Sequence, residues 1–373
     1  MKKLFFFLVL FIVFIRISTA QRTVADSLIS GGVMRHYNLY IPKNYVPGSS
    51  RPLILYFHGY GSNASVEQNY TKFMSVSDTA GFLIVYPEGT IDGTGKQYWN
   101  AGIPGLPQTP DDVAFVSSLI DALHLRYNIN TNKVYATGLS NGGYMSYRLA
   151  WKLSDKIAAI ASVSGSMGPS DFAKCNPPRP IPIMEIHGTN DNVVAYNGST
   201  IATNIDTLMR FWVTNDHCLP ISDPISIPDI DPNDGSNVIH FIWSAEIANT
   251  SCELYRIVGG AHVNWPGAGV GNNMDFSASA AIWQFFNRYQ ISTSDVKENE
   301  TASSSIGFYP NPCADVIHIR TNEKSFVTIM DITGKTILKS KEKEIVISTL
   351  SSGVYFLQIE ENGTRSFEKL IKH

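Results

Sequence analysis

The sequence predicts an α/β fold with a mostly parallel central sheet and helices on both faces, plus a small C-terminal β-sandwich domain. Short apolar runs alternate with helical periodicity up to about residue 289, which indicates strands joined by helical crossovers. The polar segment 292–305 interrupts this pattern, and short alternating strands with turns follow it from residue 306. The chain has 373 residues, of which 44% are hydrophobic and 16% charged, enough for one large domain and one small one.

The first twenty residues are predicted to be a cleaved signal peptide. Lys2 and Lys3 form a basic start, residues 4–15 are apolar, and residues 18–20 form a small-residue cleavage site. The alternative is an N-terminal membrane anchor, but the apolar run is short for a span of about 20 residues. We therefore expect no membrane span after cleavage of residues 1–20.

Charge and residue spacing argue against several classes of partner. The formal net charge is −3, and signal cleavage would remove the basic residues Lys2, Lys3 and Arg16. No cluster of lysine and arginine interleaved with aromatic residues is present, so nucleic acid is not expected as a partner. No Cys/His spacing resembles a zinc site and no glycine-rich loop fits a phosphate, so neither a metal nor another cofactor is expected.

Export would permit disulfides, and the chain contains four cysteines, Cys175, Cys218, Cys252 and Cys313. Cys218 and Cys252 flank a Pro/Asp-rich insertion and are the preferred pair. Free, half-buried thiols are the alternative. Cys313 lies in the C-terminal domain and is expected to stay single.

The catalytic domain is predicted to span residues 21–291. Strands are expected at residues 34–42, 52–58, 82–87, 133–137, 157–163, 181–186 and 253–258, and helices at residues 111–127, 141–153, 201–214 and 274–289. Right-handed crossovers between such strands give a mostly parallel sheet. Functional loops of such a sheet gather at the carboxyl ends of its strands.

Ser140 is the predicted nucleophile. It lies in Gly138-Leu139-Ser140-Asn141-Gly142, between a predicted strand and a predicted helix. A Gly-x-Ser-x-Gly match alone is weak, but the strand–turn–helix context is the one that a nucleophile elbow needs. The small residues let the backbones pass closely, and the N–H of Asn141 at the helix amino end is one expected oxyanion donor.

Asp191 and His262 complete a predicted triad in the chain order Ser-Asp-His. Each follows a predicted strand, which places both in loops at strand carboxyl ends. His262 would take the proton of Ser140 as general base, and Asp191 would orient the imidazole.

Other titratable residues compete with this assignment. Asp206 falls within a predicted helix, and Asp229 and Asp231 lie in the Pro-rich insertion, so Asp191 is preferred as the acid. His58 and His187 are expected to be structural, because the triad base is already assigned.

The loop His58-Gly59-Tyr60-Gly61 directly follows an early buried strand. This is the position from which a second oxyanion donor is supplied in serine hydrolases with a nucleophile elbow, and the N–H of Tyr60 is the expected donor.

The substrate site is expected to be open. The segment 164–180 between two predicted strands is too short for a helical lid, which suits ester groups on polymers or bulky alcohols. Tyr60, Tyr98, Trp99 and Trp265 are candidate aromatic walls for substrate binding, with core packing the alternative for each.

These motifs resemble the secreted α/β-hydrolases grouped as polyhydroxybutyrate depolymerase-like, feruloyl and acetylxylan esterases, in the neighbourhood of carbohydrate esterase family 1. The resemblance covers about residues 32–289 and rests on His58-Gly59-Tyr60-Gly61, Asp111-Asp112-Val113 with Phe115, Gly138 to Gly143, His187-Gly188-Thr189 with Asp191, and Gly260-Ala261-His262 with Trp265-Pro266. One departure is the spacing from His262 to Trp265, where relatives often have a tighter Gly-His-x-Trp-Pro.

The resemblance implies an α/β-hydrolase fold and an extracellular serine carboxylic-ester hydrolase that works through an acyl-enzyme. Feruloyl or acetyl esters of plant polysaccharide are the first expectation for its substrate. The alternatives are a polyhydroxyalkanoate depolymerase or other polyesterase, and a non-catalytic surface binding protein on a hydrolase scaffold.

Residues 306–373 resemble the type A sorting domain of the type IX secretion system. The motifs are Tyr309-Pro310-Asn311-Pro312, Asp331-Ile332-Thr333-Gly334-Lys335, Gly353-Val354-Tyr355-Phe356 and Lys369-Leu370-Ile371-Lys372. This resemblance implies the type IX machinery as a partner and a secreted or cell-surface location. An independent β-sandwich binding module is the alternative.

Overall fold

A computed structural model describes residues 22–220, 222, 224–245, 249–262, 265–269, 271–291, 307–320, 325–331, 335–361 and 364–373. The chain divides into two compact units, one within residues 1–292 and one within residues 293–373. The predicted signal peptide 1–20 and linker 292–305 lie outside the described residues, so the predicted domain boundaries stay predictions.

Among its described residues, the first unit is built around a ten-stranded sheet. Its strands are β1 (Arg22–Ser30), β2 (Val33–Ile41), β3 (Arg51–Phe57), β4 (Leu83–Pro87), β5 (Thr90–Ile91), β6 (Gln97–Tyr98), β7 (Ile129–Leu139), β8 (Ala159–Val163), β9 (Ile183–Gly188), β10 (Ile225–Ile227), β11 (Asn237–Ser244) and β12 (Ser251–Val258), of which β5 and β6 pair separately. The order across the sheet is β1-β2-β4-β3-β7-β8-β9-β12-β11-β10. The strands from β4 to β12 in that order are parallel to one another, and the outer strands pair antiparallel. The predicted, mostly parallel sheet is confirmed.

Helices cover both faces of this sheet. They are α1 (Ala64–Tyr70), α2 (Phe73–Ala80), α3 (Asp112–Tyr127), α4 (Asn141–Lys152), α5 (Pro169–Phe172), α6 (Ile205–Asn215) and α7 (Ala278–Phe286). Successive side chains of β3 enter opposite cores: Leu53 and Leu55 pack in the core shared with α3, α4 and α6, whereas Ile54 and Tyr56 pack in the core shared with α2 and α7. A strand buried on both faces therefore reads as a continuous apolar run. No helix in the described ranges is both long and apolar enough to cross a bilayer.

The predicted Pro/Asp-rich insertion contains two strands that the sequence did not reveal. β10 and β11 pair antiparallel with each other, and β11 pairs with β12, so they extend one edge of the sheet. Only some of their side chains are buried, which leaves the short mixed patterns typical of edge strands.

The predicted Cys218–Cys252 disulfide is wrong in this structure, where Cys175, Cys218, Cys252 and Cys313 are all free thiols. Cys218 and Cys252 are neighbours whose thiols interact with each other. The Cys252 thiol also donates a hydrogen bond to Oδ2 of Asp216, with a sulfur–oxygen distance of 3.8 Å.

The second unit is a small β-sandwich. One sheet contains β13 (Gly307–Tyr309), β14 (Val316–Arg320) and β17 (Glu344–Val346); the other contains β15 (Phe326–Met330), β16 (Thr336–Ser340), β18 (Gly353–Glu361) and β19 (Thr364–Lys372). Ile317 and Ile319 of the first sheet share one apolar core with Val327 and Ile329 of the second. This arrangement confirms the expected small β-sandwich.

Candidate active site

Ser140 occupies the turn between β7 and α4 in a strained backbone conformation, with φ of 52° and ψ of −114°. Positive φ at a residue with a Cβ costs about 1–3 kcal/mol and persists only where the surroundings enforce it. Here the Ser140 N–H donates to the carbonyl of Val163 at 2.8 Å. A Cβ at Gly142 would overlap the carbonyl oxygen of Phe57, so only glycine permits this close passage of helix and strand. The predicted elbow geometry of this turn is present.

Asp191 and His262 meet at the carboxyl ends of two adjacent parallel strands. Gly188 at the end of β9 pairs with Ile257 near the end of β12, so the loops that follow them start side by side. The His262 Nδ1–H donates to Asp191 Oδ2 at 2.7 Å. The structure therefore brings together two of the three predicted triad side chains.

Ser140 lies along the same edge of the sheet. Leu139 at the end of β7 pairs with Val163 of β8, which in turn pairs with Ile186 of β9. All three predicted triad residues thus follow the carboxyl ends of parallel strands within one part of the sheet.

The environment of Asp191 favours its ionised form. Burial of the side chain opposes ionisation, but hydrogen bonds from His187 and His262 outweigh it and hold the pKa of Asp191 well below its usual range. Oδ1 also accepts the backbone N–H groups of Val193 and Val194, each at 2.8 Å. A carboxylate held in this way can fix the orientation of the His262 ring.

The loop His58–Gly61 passes directly beside the nucleophile. A Cβ built on Gly59 would lie 3.8 Å from the Cβ of Ser140. Asn141 begins α4 immediately after Ser140, and its backbone N–H is one of the helix amino-terminal donors without an intrahelical partner. Both predicted oxyanion residues, Tyr60 and Asn141, therefore belong to segments that adjoin Ser140.

His58 holds the base of this loop as a buried, neutral imidazole. Its Nδ1–H donates to the Gly59 carbonyl at 2.8 Å, while Nε2 accepts the Gly89 N–H at 2.9 Å. Burial lowers its pKa to about 4, and the nearby Arg35 charge acts in the same direction. The Trp99 Nε1–H donates to the His58 carbonyl at 3.0 Å. These contacts support a structural role.

The prediction that Trp99 and Trp265 line the substrate site is wrong. Their side chains are 0% and 1% exposed, and the Trp265 Nε1–H donates to Ser279 Oγ at 2.9 Å inside the core. Tyr98 is buried as well, with its hydroxyl on the Thr109 carbonyl. Core packing, the alternative for these aromatic residues, accounts for all three.

Tyr60 differs from them because it is 38% exposed. Its hydroxyl donates to Asp92 Oδ2 at 2.7 Å, and the ammonium of Lys96 lies 5.2 Å from its ring centroid. These contacts fix an aromatic face at the surface of the loop that adjoins Ser140. Tyr60 therefore stays a candidate substrate contact.

A cavity of about 600 Å³ opens beside His262. Its lining is rich in polar side chains, including those of Asp231, Asn233, Ser236 and Asn273. The segment 164–180 contains only the four-residue helix α5, so no helical lid arises from it.

Sequence reasoning missed the buried pair Glu185 and His187 beneath Asp191. His187 Nδ1 lies 2.8 Å from Glu185 Oε1, and both side chains are fully buried. The available signal was a glutamate at i and a histidine at i+2 in an otherwise apolar strand, because such residues point to the same face.

Of the acids that compete with Asp191, Asp206 is hydrogen-bonded to side chains other than His262. Its carboxylate accepts hydrogen bonds from the Tyr196 hydroxyl and the Arg256 guanidinium, each at 2.7 Å. Asp229 is exposed, and Asp231 lies in the cavity wall.

Two family descriptions match the chain. Residues 35–174 match the family described as Esterase PHB depolymerase. Residues 307–373 match the secretion system C-terminal sorting domain. These matches confirm the resemblances drawn from the motifs, and the sorting-domain match supports a secreted or cell-surface location.

Curated relatives are similar over part of the chain. A bifunctional acetylxylan esterase/xylanase of Neocallimastix patriciarum is 37% identical over 47% of this chain and 24% of its own length. Feruloyl esterase D of Neurospora crassa is 27% identical over 69% of this chain and 83% of its own length. For the first three relatives, this chain spans 24%, 52% and 29% of their length.

A solved structure, the acetyl xylan esterase from Aspergillus awamori, superposes with a TM-score of 0.51. The two are 14% identical, and the match covers 72% of this chain and 99% of that one. This similarity shows a shared α/β-hydrolase fold.

Proposed function

Because this chain carries an Esterase PHB depolymerase match followed by a secretion sorting domain, we propose that it is an exported serine esterase. The observation that carries the proposal is the 2.7 Å hydrogen bond between Asp191 and His262, on the sheet edge where Ser140 occupies a strained turn. A buried carboxylate, an oriented imidazole and a serine on such a turn are the three parts of a hydrolytic triad.

In the proposed reaction, His262 accepts the hydroxyl proton of Ser140 while Ser140 Oγ attacks the ester carbonyl carbon. The tetrahedral intermediate collapses, the C–O bond to the alcohol breaks, and the proton on His262 passes to the departing alkoxide. Water then attacks the acyl carbon while His262 takes its proton, the bond from that carbon to Ser140 Oγ breaks, and the proton on His262 returns to Ser140, which releases the acid. Asp191 stabilises the imidazolium formed in each half of the reaction.

The oxyanion is proposed to accept hydrogen bonds from the backbone N–H groups of Tyr60 and Asn141. Both segments adjoin Ser140, because Gly59 lies against its Cβ and Asn141 begins α4 directly after it. Donors that need not reorganise are more effective than water at stabilising the developing charge.

We propose feruloyl or acetyl esters of plant polysaccharide as the substrates. The names of the relatives motivate this choice, and the polar side chains that share the lining of the cavity beside His262 with apolar groups support it. The alcohol leaves on the side of the imidazole that protonates it. Hydroxyl-rich sugars can hydrogen-bond to the Asp231, Asn233 and Ser236 side chains there, whereas an aliphatic polyester chain offers few donors.

A polyhydroxyalkanoate depolymerase is the second candidate, because the matched family description names that activity. Feruloyl, acetylxylan and polyester substrates share the same acyl-transfer chemistry, so the triad does not separate them. Comparing the rates at which the protein hydrolyses methyl ferulate, acetylxylan and poly(3-hydroxybutyrate) separates these substrate classes. We expect the two plant-type esters to be hydrolysed faster than the polyester.

The assignment of the nucleophile is tested with p-nitrophenyl acetate. We expect Ser140→Ala to reduce kcat by about 10⁴-fold or more, because no other group supplies the acyl acceptor. Ser118→Ala is the matched control, since Ser118 lies on the exposed face of α3 and bonds only within its own helix, to the Ala114 carbonyl, among the described contacts. Equal rates for Ser140→Ala and Ser118→Ala would reject the proposal.

A further inference from the structure

A second histidine, His187, lies directly beneath the proposed triad acid. Its ring is fully buried at the end of β9, and Nε2 is 3.4 Å from Oδ2 of Asp191, the same oxygen that accepts from His262. On its other side, Nδ1 is 2.8 Å from Oε1 of Glu185. The result is a continuous row of side chains in which Glu185, His187 and Asp191 are buried and His262 is partly exposed.

Both ring nitrogens of His187 face hydrogen-bond acceptors. Nε2 is 2.8 Å from the carbonyl oxygen of Val194, which cannot donate, and Nδ1 faces a carboxylate. A neutral imidazole has one N–H donor, whereas the imidazolium has two. A neutral His187 that donates from Nε2 to Val194 has a bare Nδ1, and only a protonated Glu185 could donate a hydrogen bond to it. One proton therefore lies between Nδ1 and Glu185, bound either to His187 or to Glu185.

The hydrogen-bond donors around Glu185 favour the proton on His187, against the effect of burial. Burial raises the pKa of Glu185, but the hydrogen bonds from His187 and from the Tyr147 hydroxyl, which donates to Oε2 at 2.9 Å, act in the opposite direction. Donors of this kind stabilise the charged form of a buried carboxylate. Two ionised carboxylates, those of Glu185 and Asp191, then flank His187, and a buried pair of like charges requires a cation between them.

His58 provides the opposite case within the same protein. It is almost as deeply buried, but its Nε2 accepts the Gly89 N–H, which leaves no place for a second ring proton. The hydrogen-bond partners of the two buried histidines therefore favour opposite protonation states, and burial adds to the preference of His58 for the neutral form.

We propose that His187 is a permanently protonated positioning residue, an imidazolium that holds Asp191 in place and partly offsets its charge beneath the base His262. This inference rests on the proposed function, since it assigns Asp191 and His262 to the triad. Burial acts against the charged ring, but the hydrogen bonds from His187 to Asp191 and Glu185 outweigh burial and raise the pKa of His187 to about 9.

Other titratable groups pack around this row. From α4, Tyr147 bonds to Glu185, and Tyr144 lies within electrostatic range of Glu185 and Asp191. The Tyr196 ring packs edge to face against the His187 ring, with 5.8 Å between the two ring centroids. Arg256 on β12 is the strand partner of His187, and it pairs with Asp206 on α6 and with Tyr196.

The proposed charges have a consequence for catalysis. With His262 neutral, the row carries one net negative charge, and it becomes neutral when His262 takes the serine proton. Replacing His187 by a neutral residue leaves two uncompensated carboxylates next to His262. We expect the acid limb of the kcat/KM profile to move to higher pH by about one unit in His187→Gln, because a nearby cation has been removed.

The direct experiment is nitrogen NMR on the full chain with isotopically labelled histidine. We expect His187 to show two protonated ring nitrogens throughout the range from about pH 5 to about pH 8, and His58 to show one protonated and one bare nitrogen. His187→Gln and His58→Gln assign the two sets of signals. A bare nitrogen on His187 near neutral pH overturns the proposal.

Glu185→Gln provides a second test that keeps the histidine. The loss of the carboxylate partner should make His187 titrate within the observed range, with a bare nitrogen appearing as pH rises. An unchanged His187 signal in Glu185→Gln contradicts the proposed protonated state of His187. An acid limb of kcat/KM that does not move to higher pH in His187→Gln contradicts its proposed effect on His262. The NMR result does not depend on turnover, so it stands apart from a failure of the esterase assignment, which Ser140→Ala reports.

Discussion

The Asn141 side chain bonds to both polar groups of the Trp99 backbone. Its Oδ1 accepts the Trp99 N–H at 2.7 Å, and its Nδ2 donates to the Trp99 carbonyl at 3.2 Å. Trp99 in turn donates from its indole to the His58 carbonyl. The residue after the nucleophile therefore ties the start of α4 to the loop proposed to supply the second oxyanion donor.

Substituting Asn141 should weaken both stability and catalysis. In Asn141→Ala the Trp99 carbonyl keeps the Ala101 N–H, but the Trp99 N–H loses its acceptor. We expect the free energy of unfolding to fall by about 2 kcal/mol, the cost of one unsatisfied buried donor. We also expect kcat to fall by about tenfold or more, because the oxyanion loop is displaced.

The measurements for Asn141→Ala are urea unfolding and p-nitrophenyl acetate kinetics. Asn69→Ala serves as the control, because it removes a side-chain hydrogen bond to the Ser65 carbonyl on an exposed helix face. Loss of stability with an unchanged kcat would separate Asn141 from the oxyanion site.

Asp191→Asn should reduce kcat by about 10³- to 10⁴-fold with little change in KM, because an amide holds the wrong imidazole tautomer. Steady-state kinetics on a soluble ester measures this. Asp206→Asn is the matched control, since Asp206 is a carboxylate bonded to Tyr196 and Arg256. A larger loss in Asp206→Asn than in Asp191→Asn would reverse the assignment of the acid.

Asp216 should make the protein less stable as pH rises. Burial raises its pKa to about 7, although hydrogen bonds from groups such as the Ile181 N–H and the Thr250 hydroxyl act in the opposite direction. The unfolded chain ionises this carboxyl near pH 4, so between about pH 4 and pH 7 the folded state binds more protons. The free energy of unfolding therefore falls with rising pH, by up to about 4 kcal/mol.

Asp216→Asn tests this pH dependence. The amide keeps an acceptor for Ile181 and can donate to Thr250 Oγ1, so we expect the variant to be more stable than the wild type near pH 8 and similar near pH 4. Urea unfolding at both pH values measures the difference, with Asp121→Asn as an exposed control. The same pH slope in Asp216→Asn and wild type would show that Asp216 ionises normally in the folded state.

Asn233→Ala should affect polymeric substrates selectively. Asn233 lines the cavity beside His262, and we expect a polymer chain to contact it where a small acetyl ester does not. We expect KM for acetylxylan to rise about three- to tenfold, the loss of one or two hydrogen bonds, with KM for p-nitrophenyl acetate unchanged. Equal changes for both substrates would place Asn233 outside a polymer subsite.

The sequence predicts the parts of this molecule that depend on local patterns. The continuous apolar run around Leu55 marks a strand buried on both faces, and the Gly138–Gly142 motif marks the turn that holds Ser140. The hydrogen bond between Asp191 and His262 agrees with their predicted positions after neighbouring strand ends.

The missed features depend on contacts between distant segments. Trp99 and Trp265 are buried because segments far apart in sequence enclose them, and no local pattern distinguishes such a residue from a surface aromatic. The Cys218–Cys252 prediction relied on the flanking positions of the two cysteines, whereas the thiol of Cys252 is drawn to Asp216. The role of His187 requires knowing that Val194 turns its carbonyl back toward the ring.

The proposal that Ser140 is an activated nucleophile can be tested most directly by labelling the full chain with a fluorophosphonate and locating the adduct by mass spectrometry. We expect one adduct, on the peptide that contains Ser140, formed rapidly by wild type and Ser118→Ala and absent from Ser140→Ala. No adduct on folded wild-type protein, or an adduct on another serine that persists in Ser140→Ala, would contradict the assignment of Ser140.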